Sequence, residues 1–342
     1  MTPRWKNRPA GSNWGDFGAD DQCGRINLIT PEKVKQGLAE VRDGLTFCLS
    51  LPLDLPGGNA LNPRRFPPRR FALDRGGVAN FNYAASQDNP DWTDVLNDDR
   101  VVIHLQYSTQ WDSLAHVGGE FDADGDGVDE IVYYNGWRGG SDVAGPANPG
   151  DPHFEGVEAR RLGIQNMAER CVQGRAVLID LHAHFGDGRE MVDFARLKSV
   201  MDADGVVVEP GDMVCLHTGY ARRVVEMAGD PDPDVLHHAN PVLDGRDPAL
   251  LDWVTESGLA VLIADNYAVE ALPATPGHGR HAMLPLHELC LFKLGVHLGE
   301  LWYLTDLAAH LRAQGRSRFL LTAPPLRLPG AVGSPVTPVA TV

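Results

Sequence analysis

The 342-residue chain carries 30 basic against 46 acidic side chains, a formal net charge of −16, with 43% hydrophobic and 22% charged residues. That balance is ordinary for a folded globular protein and excludes wholesale disorder, and the negative field argues against nucleic acid as a partner. No apolar run reaches the roughly eighteen residues a membrane span needs, so no membrane partner is expected.

In chain order, the basic start from Met1 to Pro9 has no apolar stretch behind it and does not read as a secretory leader. Thr30-Pro31-Glu32 is a helix start: Thr caps, Pro suits the first helical position, and Glu favours the positive helix end. The helix is expected through Val34, Leu38 and Val41 to a stop at Gly44, followed by a strand over Leu45 to Leu51. A non-periodic segment from Pro52 to Gly77 carries the paired arginines Arg64-Arg65 and Arg69-Arg70, and a loop of that length is functional or mobile. Val101 to Thr109 reads as a strong strand ending in polar residues.

Ala176 to Leu181, Met213 to Leu216 and Leu259 to Ile263 are short apolar runs of the kind buried strands show. Helical stretches are expected at Glu158 to Gln173, Asp193 to Asp202, Pro248 to Ser257 and Leu284 to Leu294. Strands alternating with helices predict an α/β domain. The apolar, Pro-rich tail from Pro324 suits a last edge strand. Without a repeat or a clean linker, residues 1–94 read as an extension packed on a main domain of residues 95–342. The five cysteines (23, 48, 171, 215 and 290) are odd in number and never in CxxC spacing, which points to reduced thiols and a cytoplasmic protein. Cys215 and Cys290 lie in apolar runs and suit inert core positions.

Two polar clusters carry possible chemistry. The first, Gln106-Tyr107-Ser108-Thr109-Gln110-Trp111-Asp112-Ser113-Leu114-Ala115-His116, follows the apolar run of a strand, where α/β proteins place their sites. If the strand continues, Gln106, Ser108, Gln110 and Asp112 share one face. A polar loop with a satisfied histidine is the plain reading. The second runs from Pro285 through His287 and Gly295 to Glu300, and alone it reads as an amphipathic helix running into a strand.

Taken together, the clusters resemble the cyclase family, whose best known members are bacterial kynurenine formamidases and isatin hydrolases. Its members carry H-x-G-T-H-x-D-x-P-x-H after a strand and a later H-x-x-L-L…G…E segment. Gly211-Asp-Met-Val-Cys-Leu-His217-Thr218-Gly219 is similar to the family's G-D-x-V-L-x-x-T-G segment. Asp265 to Glu270 resembles its D-x-x-S-x-(D/E) turn, and Gly333-Ser334-Pro335 its closing G-S-P run. The resemblance covers about residues 95 to 340. It implies a swivelling β/α/β-type α/β fold, a mixed barrel-like sheet flanked by helices, and a homo-oligomer, at least a dimer.

By position the resemblance makes Gln106, Gln110, Asp112, His287 and Glu300 candidate metal ligands and His116 the proton-transfer residue. Both motif histidines are glutamines here, which ligate only through a neutral carbonyl oxygen. That shift toward oxygen donors favours Mn²⁺ or Mg²⁺ more than the family's His-rich sites do, with one divalent ion, Mn²⁺ or Zn²⁺, as the expected cofactor. The implied chemistry is hydrolysis of an amide, formamide, cyclic imide or lactone by a metal-activated water, with an arylformamidase-like C–N hydrolase first and a lactone hydrolase second. Tyr107, Trp111 and Trp302 are placed to wall a flat aromatic or cyclic substrate, and His217 to contact it, although core packing is the commoner use of aromatic residues. An arginine from the 52–77 segment suits a carboxylate-bearing substrate. The competing reading, argued from the two missing histidines, is a metal-free binding protein or a non-hydrolytic dehydratase or cyclase.

Weaker signals remain. Asp122, Asp124 and Asp126 with Gly127 match the opening of a calcium loop, but the twelfth position is Tyr133, and a solvated acidic turn is the default. His182 and His184 follow a strand and suit structural or supporting positions, and His278 and His281 sit in a Gly/Pro loop ahead of the second cluster.

Overall fold

A computed structural model describes residues 4–146, 148, 150 and 154–342. Residues 1–3 of the basic N-terminal stretch lie outside the described residues. The centre is a mixed sheet of nine strands curled into a half-barrel and flanked by helices. In chain order these are β1 (Thr46–Cys48), β2 (Gln110–Asp112), β3 (Gln173–Asp180), β4 (Met213–His217), β5 (Val261–Ala264), β6 (His297–Glu300), β7 (Arg318–Thr322), β8 (Gly333–Pro335) and β9 (Val339–Thr341). Their spatial order is β1-β9-β7-β3-β4-β5-β6-β2-β8. The pairs from β3 through β6 are parallel, and the pairs flanking them are antiparallel.

The parallel strands are apolar throughout because both their faces are covered. Alternation sends Val177, Ile179, Val214, Leu216, Leu262 and Leu298 to one core. It sends Ala176, Leu178, Met213, Cys215, Val261 and Ile263 to the other. Helix α1 spans Pro31–Ala39, and helices α2 (Phe194–Asp204), α3 (Pro248–Glu256) and α4 (an α-turn Pro285–His287 continuing as a π-helix Glu288–Leu294) pack on the first face. Helix α5 (Thr305–Ala313) packs on the second through Leu307, Ala308 and Leu311. Each such Val, Leu, Ile or Met side chain contributes roughly 1.5–3 kcal/mol by burial. The N-terminal residues enter the same cores. Trp14 belongs to the first, with its Nε1 donating to Phe292 O at 2.8 Å, and Ile26 and Leu49 belong to the second.

Several expected elements differ. The helix capped by Thr30 ends at Ala39, ahead of Gly44. The expected strand over Val101 to Thr109 is not one: Asp99–Val102 pairs with Arg69–Ala72 outside the main sheet. The sheet is joined instead by β2, three residues with no apolar run, because β6 and β8 bond it on both sides. The expected helix over Glu158 to Gln173 shrinks to Gln165–Glu169: Glu158–Ala159 pairs with Val143–Ala144, Leu162 takes a left-handed φ of 62°, and β3 already begins at Gln173. The tail supplies an edge strand, β8, and also β9, inserted between β1 and β7.

Among the described residues no helix is long and apolar enough to cross a membrane. All five cysteines are free thiols.

Candidate active site

Pairing places the site. In β2, Gln110 lies opposite Glu300 of β6, and Asp112 opposite Leu298. Residues two apart share a face, so Gln110 and Asp112 point to the side of the sheet where Leu298 packs and α4 lies. His287 comes down from α4 onto that face. One ligand atom each from Asp112, His287 and Glu300 lies within 4.8 Å of the others. The three residues are only 0–3% exposed.

Their hydrogen bonds close around a centre. Gln110 Nε2 donates to Asp112 Oδ1 at 3.3 Å and to Glu300 Oε2 at 3.2 Å. His287 Nε2 lies 3.2 Å from Glu300 Oε1, and its Nδ1 lies 2.8 Å from Glu270 Oε1. Asp112 Oδ2 and Gln110 Oε1 are buried with no partner. Unpaired buried oxygens are costly, and a carboxylate oxygen more so.

The electrostatics follow from burial. Burial, reinforced by the Glu300 charge, pushes the Asp112 carboxyl above the usual carboxylate range. Burial also works to raise Glu300, but the His287 hydrogen bond and charge outweigh it and hold that carboxyl low. For His287 burial opposes the charged form, yet the hydrogen bonds it donates to Glu270 and Glu300 raise the ring to about 10. The cluster is therefore short of positive charge, and its imidazole supplies what it can. Two oxygens without partners, excess negative charge and an imidazole nitrogen make a donor set that fits a divalent cation.

His116 stands at the rim. The turn after β2 carries it, with His116 N donating to Ser113 O, and Nε2 lies 3.8 Å from Asp112 Oδ1. Its side chain is 22% exposed. A groove of about 670 Å³ begins beside it, lined by Val117 to Glu120, Gly279 to Leu284 and Glu288. None of the site's own residues lines that groove.

Of the other expected site residues, Gln106 borders the cluster and the rest lie apart from it. Gln106 holds its amide against β8, on the face of Asp112: a Cβ on Gly333, the residue opposite Asp112, would come within 2.4 Å of Gln106 Nε2. That Nε2 has no partner, and the Gln106 backbone carbonyl accepts from Arg65 Nη1 at 2.7 Å. Tyr107 is buried, with its hydroxyl donating to Gly58 O, and shares a small cavity with Arg65, Gln106 and Tyr267. Trp111 and Trp302 are fully buried on the opposite face of the sheet, in edge-to-face contact at 4.9 Å, so they do not meet Asp112 and Glu300 in one pocket.

His217 ends β4 on that opposite face too. Its Nδ1 lies 2.7 Å from Asp180 Oδ1, and its Nε2 3.9 Å from Asp265 Oδ2 and 3.4 Å from Thr305 Oγ1. His182 and His184 pair with Asp187 and Asp204. In the acidic turn, Asp122, Asp124 and Glu130 come together, while Asp126 does not join them. The Asp122 carboxylate accepts from the amides of Gly125, Asp126 and Gly127, and Glu130 pairs with Arg138.

The residue that sequence reasoning passed over is Glu270, quoted within the turn from Asp265 but given no role. Only its contact with His287 shows one.

The cyclase family profile matches residues 47–271. The chain belongs to the cyclase family. A crystal structure described as that of a novel cyclase is 31% identical, with 97% of each chain covered and a TM-score of 0.73. Two isatin hydrolase A structures share the cyclase fold at lower identity. The one from Labrenzia aggregata is 13% identical over 90% of this chain and 97% of its own, at TM-score 0.53. The one from Ralstonia solanacearum is 16% identical over 91% and 97%, at TM-score 0.54. No curated protein matches the sequence.

Proposed function

We propose that this cyclase-family chain is a metal-dependent hydrolase of an amide, formamide, cyclic imide or lactone, with its site at Asp112, His287, Glu300 and Gln110. The convergence of the three ionisable residues around the partnerless Asp112 Oδ2 and Gln110 Oε1 carries the reading. Asp112, Glu300 and His287 Nε2 would hold one divalent ion, Mn²⁺ or Zn²⁺, with the partnerless carbonyl oxygen of Gln110 as a further donor. Such an ion polarises a carbonyl and makes water a nucleophile at neutral pH. His116, at the solvent edge and within reach of Asp112, takes the nucleophile's proton and returns it to the leaving nitrogen or oxygen. Burial of the carboxylates keeps bulk water from competing for the substrate carbonyl.

Arg65 supports a substrate or product carboxylate: its charge acts on both Asp112 and Glu300, and no carboxylate pairs with it among the described residues. Five free thiols support a reducing, cytoplasmic setting.

The alternative is a metal-free pocket, favoured by Gln110 Nε2, which already bridges the two carboxylates. Elemental analysis of purified protein, with hydrolysis of a panel of formamides, cyclic imides and lactones measured before and after complete chelation, separates the two. Stoichiometric divalent metal and activity lost on chelation are expected. Activity that survives in metal-free protein would overturn the metal-dependent reading.

A further inference from the structure

We propose that Glu270 is a positioning residue that fixes which nitrogen of His287 faces the Asp112–Glu300 pair and thereby sets the site's affinity for a divalent cation. This rests on the metal-site reading above. A neutral imidazole has one N–H and one lone pair, and a histidine ligates only through the lone pair. Glu270 Oε1 lies 2.8 Å from His287 Nδ1. When the ring gives up a proton to take a cation, the proton it keeps is held at Nδ1, and the lone pair falls on Nε2, on the side where Glu300 sits.

The same carboxylate fixes the backbone beneath the ring. Oε1 accepts the amide N–H of His287 at 2.9 Å, and Oε2 accepts that of Leu286 at 3.0 Å. Both belong to the first turn of α4, whose amides have no partner within the helix. One fully buried side chain therefore sets the start of the helix and the rotation of the ring together.

The chain is shaped to bring Glu270 there. Ala268 and Val269 adopt left-handed backbone, φ 72° and 58°, which is unfavourable for a β-branched residue. Leu243 pins the segment from one side, accepting from Ala271 N at 2.9 Å. Asn266 pins it from the other, with Nδ2 donating to Val269 O at 3.4 Å. Gly245 makes the room: a Cβ there would sit 2.0 Å from Glu270 Oε2. A carboxylate needed only to cap a helix has no reason to reach the ring as well.

The test is a cation-binding titration with Mn²⁺ and Zn²⁺, free of substrate, on wild type, Glu270→Gln, His287→Ala and the double variant, each with its melting curve. Glu270→Gln keeps the shape but loses one acceptor. It is expected to weaken cation binding by about 10- to 100-fold, the range for outer-shell partners of a ligating histidine. In the His287→Ala background the same substitution is expected to change nothing further. Wild-type affinity in Glu270→Gln, or an equal loss in both backgrounds, overturns the proposal.

Should Glu270→Gln not fold, Gly245→Ala displaces the carboxylate without altering it, and the same pair of comparisons applies. If wild type binds neither metal, the metal-site reading fails, and nitrogen NMR of the His287 ring still decides the positioning role. A proton on Nδ1 that is lost or redistributed in Glu270→Gln supports it, and a wild-type ring unprotonated at Nδ1 overturns it.

Discussion

Asp112 and His116 are four residues apart yet differ in surroundings, one sealed beside Glu300 and His287, the other partly open to solvent. Asp112→Asn is therefore expected to lower metal content and activity together, whereas His116→Ala lowers activity by a factor of about 100 to 10,000 and leaves metal bound. Elemental analysis beside initial rates checks both, and equal metal loss in the two variants would make His116 a ligand. Gln110 has its Oε1 beside the cluster without a partner, so Gln110→His is expected to raise occupancy by zinc over manganese, because imidazole is the better donor for zinc. Adding Gln106→His is expected to strengthen that preference, since the Gln106 amide lies against Gly333, the residue opposite Asp112. Protein refolded with both ions at equal concentration reads this out. At this scale the convergence of Asp112, His287 and Glu300 was legible only through the resemblance to two cyclase-family motifs, since patterning alone gave a polar loop and an amphipathic helix. The two tryptophans were less so, although Trp111 lies between Gln110 and Asp112, and alternation alone sends it to the other face. Glu270 was not legible as a partner of His287, because no spacing in the sequence encodes a contact across seventeen residues.

At the scale of elements, β3, β4 and β5 were readable because strands covered on both faces must be apolar along their length. Strand β2 was not, since Gln-Trp-Asp becomes a strand only through its two neighbours. The ends of β3 and β4 are tied to α5 by Asp180, which meets His217 and Arg312. Burial opposes the Asp180 charge, but these partners outweigh it and hold its carboxyl at about 2. A depressed carboxyl stabilises the fold fully above its unfolded value near 3.8, and that contribution is lost as pH falls through about 2. Because Arg312 is half exposed, the contribution is about 1–2 kcal/mol after allowance for screening. Asp180→Asn keeps the cap on Ala183 N but not the charge, so it is expected to lower stability by that amount at neutral pH. Less of the remaining stability is then lost on acidification. Urea unfolding at pH 7 and pH 3 measures both effects.

For the whole molecule, the segment around Arg69–Ala72 and Asp99–Val102 stands out as two-stranded pairing with little cover. Val101 and Val102 point to opposite faces, yet they are 53% and 51% exposed, with Phe81, Trp92 and Val95 exposed nearby. Two-stranded pieces are marginal alone, and apolar surface of this kind is normally covered by another chain. The protein is expected to sediment as a dimer or larger, and Val101→Glu to shift it toward monomer without lowering the melting point of the core. Sedimentation of both at matched concentration checks this. The sealed site has a kinetic consequence as well. With Asp112, His287 and Glu300 only 0–3% exposed, and His116 the partly open residue at the rim, an ion held there would have no wide path in or out. Exchange must then wait for local opening of the chain around α4 and the turn after β2. On the metal-site reading a purified sample would carry whichever ion was abundant while it folded and exchange it slowly, so chelation and titration would need long incubation to reach equilibrium.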